Sequence, residues 1–92
     1  MKVDFSKVTV KDIDGNDNIF DLSKDLGKIM YENSFLEEEL QLGKEIYQNG
    51  EVELNKVRAE AIKKYLSSFK AFVRIPLLEL LSLAESEDIS SI

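Results

Sequence analysis

The densest run of potential ligand atoms in this chain is Asp12-Ile13-Asp14-Gly15-Asn16-Asp17, where oxygen-bearing side chains recur at alternate positions. Such spacing suits Ca²⁺, which takes roughly six to eight oxygen ligands. A calcium loop of the EF-hand type starting at Asp12 needs Gly at its sixth position and Glu at its twelfth. Asp17 and Ser23 stand there instead, so the run reads as a solvated hairpin turn. Elsewhere the chemistry is bounded by absence: the 92 residues contain no His, no Cys and no Trp. That removes the usual general base at neutral pH, the commonest transition-metal ligand, the thiol nucleophile and any disulfide. Carboxylates, lysines, tyrosines and hydroxyls remain, and neighbours such as Lys44/Glu45 or Asp21/Lys24 read as solvated charges. No catalytic residue, metal site or cofactor site is assigned, and a non-enzymatic role is the expectation.

Charge is the next source of binding chemistry. The net charge of −6 is arranged in blocks: −7 over residues 1–55, +5 over 56–74 and −4 over 75–92. Overall acidity argues against bulk binding to a phosphate backbone, but the middle block keeps a local version open. Lys56, Lys63, Lys64, Lys70 and Arg74 are its candidate phosphate contacts. The same face also suits the protein's own acidic blocks or an acidic partner.

The elements that must position these groups follow from periodicity and caps. Val8 and Val10 alternate with Thr9 and Lys11, Asp14-Gly15-Asn16 supplies turn chemistry, and Ile19 and Leu22 mark the return run. This spacing predicts a β-hairpin over about residues 6–22. Ser23 is the expected cap of a first helix carrying Leu26, Ile29 and Met30, and Ser34 of a second carrying Leu36, Leu40, Gly43 and Tyr47. Glu37, Glu38 and Glu39 suit the positive end of that second helix, and Gly50 its stop. Residues 51–54 alternate and offer a third short strand to the hairpin. Asn55 is the expected cap of a third helix with an apolar stripe through Val57, Ala61, Ile62, Tyr65, Leu66 and Phe69. Pro76 is expected in the first turn of a separate helix. The fold class predicted is α+β: an N-terminal β-hairpin packed against three to four α-helices, one domain over residues 1–85, with 86–92 a frayed polar tail.

Two patterns exceed what a generic small domain needs. Leu26-Gly27-Lys28-Ile29-Met30-Tyr31-Glu32-Asn33 recurs sixteen residues later as Leu42-Gly43-Lys44-Glu45-Ile46-Tyr47-Gln48-Asn49, with five of eight positions identical. Gly in a helix interior costs about 1 kcal/mol relative to Ala, so the repeated Gly points to two helices crossing closely at Gly27 and Gly43. A paired surface of Lys28 with Lys44, or Tyr31 with Tyr47, is the functional alternative. The second pattern is the segment after Pro76, where Leu77, Leu78, Leu80, Leu81 and Leu83 leave little polar surface. A helix apolar nearly all round must be covered on more than one side. In so small a domain this makes the five leucines candidate interface residues, for a second copy of the chain or for another protein.

The stretches Asp21 to Asn33, Ile46 to Leu54 and Phe69-Lys70-Ala71-Phe72-Val73 together resemble short proteins of phages and prophages of gut anaerobes. Their pattern is a hairpin, an Asp-Leu-Ser-Lys-x-Leu-Gly helix, a Tyr-x-Asn-Gly-Glu-Val-Glu-Leu segment, a helix and an aromatic stretch. The resemblance implies a mobile-element origin and carries no catalytic motif. The expected function is a small accessory or assembly protein acting by protein–protein contact, with a nucleic-acid-associated regulator as the alternative. The opening MKVDFSKV has no long apolar stretch and no segment approaches a membrane span, so a cytosolic protein without membrane partners is expected.

Overall fold

The fold is α+β, and in the computed structural model residues 1–90 are described, with side chains through residue 86. The elements run β1 (Lys2–Asp4), β2 (Val8–Lys11), β3 (Asp17–Phe20), α1 (Ser23–Asn33), α2 (Glu37–Asn49), β4 (Glu51–Glu53), α3 (Lys56–Lys63), a 3₁₀ turn (Leu66–Ser68) and α4 (Ala71–Ser90). Every layer feeds one apolar cluster, with Phe5, Leu26, Met30, Ile46, Ile62, Leu77 and Leu81 at its centre.

The hairpin forms where the turn chemistry and the alternation of Val8 and Val10 predict it, but its return strand ends at Phe20, with Ile19 exposed and Leu22 buried at the entrance to α1. Val8 and Val10 face the core while Thr9 and Lys11 face solvent, and β2 pairs with β3 from Val8↔Phe20 to Lys11↔Asp17. Asp12 Oδ1 accepts the N–H groups of Asp14 (3.0 Å) and Asn16 (2.9 Å), and Gly15 takes a positive φ of 84°. The Asp12 carboxylate is therefore committed to the turn's own amides. These bonds, that from Asn16 foremost, hold it below the ordinary carboxylate pKa.

Residues 51–53 do form a strand, but β4 does not join the hairpin. It pairs antiparallel with β1, placing Val3 opposite Val52, in a separate two-stranded sheet. The reason is the turn at Gly50 (φ 76°), which closes α2 and delivers the chain beside the first residues. Phe5 N–H then bonds Gly50 O at 2.9 Å, and Leu22 N–H bonds Phe5 O at 2.8 Å. A three-residue strand is too short to show a period, so β1 left no mark in the sequence.

Several local expectations are also corrected. Ser23 lies inside α1, and Asp21 takes its N–H (3.0 Å) and its hydroxyl (2.6 Å). Ser34 closes α1 through its N–H to Met30 O, and Leu36 precedes α2. Asn55 caps α3 as expected, its side chain accepting from Arg58 N–H at 2.8 Å. The third helix, however, stops at Lys63, where Lys64 N–H and Tyr65 N–H bond the carbonyls three residues back (Ala61 O, 3.4 Å; Ile62 O, 3.0 Å), and the chain goes on into the 3₁₀ turn. Pro76 does not begin a helix but lies within α4, where it removes the bond to the Phe72 carbonyl. The helix survives because Val73 before it and Leu77, Leu81 and Ala84 after it are all buried on one stripe. Residues 86–90 continue α4 rather than forming a tail, since Glu85 to Ser90 contains no helix breaker; 91–92 lie outside the described residues.

The repeated Gly does what its cost implied. A methyl group at Gly27 would stand 2.6 Å from Gly43 O and from Tyr47 Cβ, and one at Gly43 only 2.7 Å from Met30 Cβ. α1 and α2 therefore cross backbone against backbone. Gly27→Ala should forfeit its propensity gain and lose about 1–3 kcal/mol to overpacking. Thermal unfolding followed by circular dichroism should show Tm lowered by roughly 5–20 °C. An unchanged or raised Tm would contradict the close crossing.

Candidate protein-docking site

The leucines of α4 divide by their angle on the helix. Leu77 and Leu81 have no exposed surface and belong to the core, not to an interface. Leu80 packs partly against that core. Leu78 lies on the flank towards α3 and Leu83 on the opposite flank towards the hairpin. With helical spacing, Phe72, Ile75 and Leu83 share this second flank and are 50%, 57% and 58% exposed. Phe72 is held there edge-on against Phe20 of β3, their rings 6.3 Å apart. Lys7, Thr9 and Lys11 border the same flank across a groove of about 560 Å³. Nothing in the Leu spacing distinguished Leu83 from Leu81; the missing signal was the direction from which the core approaches. Phe72 and Ile75, which look like further core residues in sequence, are the ones that complete the surface.

The five candidate phosphate contacts do not line one helix. Lys56 and Lys63 are on α3, Lys64 follows it, Lys70 precedes α4 and Arg74 is on α4. Most of the block wires the protein together. Lys63 Nζ stands 2.6 Å from Glu85 Oε1, a charge contact without the alignment of a hydrogen bond. Lys64 Nζ reaches Glu39 Oε2 at 2.5 Å, and Arg58 lies 3.7 Å from Glu45 while donating to Glu53 O. Arg74 donates to Phe69 O at 3.4 Å, across the corner before α4. The middle block thus binds both acidic blocks, as the charge pattern allowed.

Glu39 was legible only as a helix-dipole acid, yet it is buried and accepts from Lys64 and, at 2.5 Å, from Tyr65 OH. Partners 25 and 26 residues away leave no local signature. The Lys64 ammonium first, and the Tyr65 hydroxyl next, hold Glu39 below the usual carboxylate range. Burial first, then Glu39, pushes Tyr65 up to about 12. Both shifts lock the resting protonation states, so the cluster is a clasp between α2 and the end of α3 rather than a proton-transfer pair. Of the other candidate surface, Tyr31, Tyr47, Lys28 and Lys44 do share a groove of about 370 Å³ over the glycine crossing. Tyr47 is already engaged there, with the Lys24 ammonium 4.4 Å from its ring centre and 2.5 Å from its carbonyl oxygen.

Among the described residues no group of acidic side chains is placed to hold a metal ion, and no helix is long and apolar enough to cross a membrane. Comparison with known proteins finds no matching family model, no matching curated protein and no matching solved structure.

Two measurements follow from these placements. Glu39 has a depressed folded pKa, so its contribution is present above the unfolded carboxylate pKa and is lost as pH falls through the folded one. Glu39→Gln should therefore be less stable than the native chain at pH 7, and the two should converge below about pH 4; parallel curves across that range in thermal melts would contradict the clasp. Urea unfolding should separate the leucines: Leu81→Ala losing about 2–5 kcal/mol, Leu83→Ala less than about 1 kcal/mol. Equal losses would contradict the division of α4.

Proposed function

We propose that this chain is a small non-enzymatic accessory protein, of phage or mobile-element type, that works by protein–protein contact through the outward flank of α4. The observation that carries this reading is the grouping of Phe72, Ile75 and Leu83 on one exposed flank, beside the half-buried Phe20. Large apolar side chains exposed together beside polar residues are the mark of a contact surface, whereas scattered ones are ordinary. The absence of His and Cys and the locked Glu39–Tyr65 pair support a role without covalent chemistry. The mobile-element setting rests on the resemblance of the Asp21–Asn33, Ile46–Leu54 and Phe69–Val73 stretches. A nucleic-acid regulator has less support, because its basic residues are divided among three segments and two of them, Lys63 and Lys64, face internal acids.

The test is solution mass by light scattering, over a concentration series and after purification from the native host, with Ile75→Ser/Leu83→Ser in parallel. The native chain should travel in a complex, with itself or with a second polypeptide. The double variant, folded by circular dichroism, should be released as a monomer. A native chain that is monomeric alone and in its host extract overturns the reading.

A further inference from the structure

The outward flank of α4 is one wall of a groove of about 560 Å³, and the other wall is a strand edge. Among the described residues β2 pairs only with β3. Hydrogen-bonded pairs alternate along an antiparallel ladder. Because Asp12 N–H bonds Asn16 O at 3.0 Å, the bonded pairs inside the ladder are Val10–Asn18 and Val8–Phe20. The backbone groups of Thr9 and Lys11 therefore point away from β3, towards the groove those residues line. An exposed edge of this kind is a template for another strand.

We propose that the groove takes an extended, alternating apolar and acidic segment of a partner protein as a third strand on β2. This rests on the reading of the α4 flank as a docking surface and names what docks there. Charge selects the occupant. Lys11 lies two residues after Thr9 in β2 and shares its face, and Lys7, in the turn just before the strand, lines the same groove. A second copy pairing antiparallel about Thr9 would bring each Lys11 to the end of the other strand that Lys7 precedes, and like charges facing each other across a sheet destabilise it. Carboxylates at those positions in a partner strand meet the ammonium groups instead. Its intervening residues fall on the other face, against Phe72, Ile75 and Leu83. Glu79 stands on the helix wall, which restricts the ligand's acids to the strand side. Main-chain bonds supply affinity in this mode, and alternate side chains supply selectivity.

The probe is a capped peptide of alternating Val and Glu, about eight residues long, titrated against the full ¹⁵N-labelled chain, with a Val–Lys peptide alongside. Amide hydrogen exchange at Thr9 and Lys11 should slow at least about tenfold on binding. The Val–Lys peptide should bind at least about tenfold more weakly, and Lys7→Glu/Lys11→Glu, a surface change that leaves the core intact, should reverse the preference. No binding of the Val–Glu peptide at millimolar concentration overturns strand addition. So does equal binding of both peptides, or binding without protection of Thr9 and Lys11. If strand addition fails while Ile75→Ser/Leu83→Ser still releases a complex, the docking flank stands without the strand. If that variant releases nothing either, both readings fall.

Discussion

The crossing of α1 over α2 at Gly27 and Gly43 sets the geometry on which the other elements depend. With no Cβ on either helix at the contact, the backbones meet at a distance that any side chain would prevent. That approach fixes where α2 ends, and Gly50 there turns the chain into β4. Phe5, fully buried, accepts from Leu22 at the entrance to α1 and donates to Gly50 at the exit of α2. The first strand is thereby tied to both helices before it pairs with β4. Loosening the crossing would move both anchors of that strand.

Electrostatics works mainly inside the molecule. The basic block separates two acidic ones along the chain, and folding brings it against both, through Lys64 to Glu39 on α2 and Lys63 to Glu85 on α4. The Glu39 contact is the most consequential because its carboxylate is buried and would be costly to leave unpartnered. Tyr65 satisfies its second oxygen, so the α2–α3 junction is closed by one carboxylate with two donors. A charge pattern that resembles a nucleic-acid signature in one dimension is largely a set of internal ties in three.

α4 is shaped by having two different neighbours. Its core stripe through Val73, Leu77, Leu81 and Ala84 is buried deeply enough to carry the helix through Pro76 despite the lost hydrogen bond. Its flank towards β2 stays about half exposed, because the two-stranded hairpin touches it through Phe20 on Phe72 without covering Ile75 and Leu83. The same helix therefore serves stability on one side and presents apolar surface on another.

Interactions spanning a few residues were readable from the amino-acid sequence alone. The Asp12–Asn16 turn, the Asn55 cap, the Gly50 stop and the glycine crossing follow from local conformational preference or from a cost that only close approach offsets. What depended on tertiary structure was every choice among alternatives of equal local cost. β4 could satisfy its backbone on the hairpin or on β1, and the turn after α2 decided for β1. Glu39 and its neighbouring acids look alike in sequence, but only Glu39 lies under Tyr65 and Lys64. Leu81 and Leu83 have the same chemistry, and two positions of helix rotation put one in the core and one at the groove. Burial is a property of what packs against a residue, so it is settled by contacts distant in the chain and not by the residue's own type.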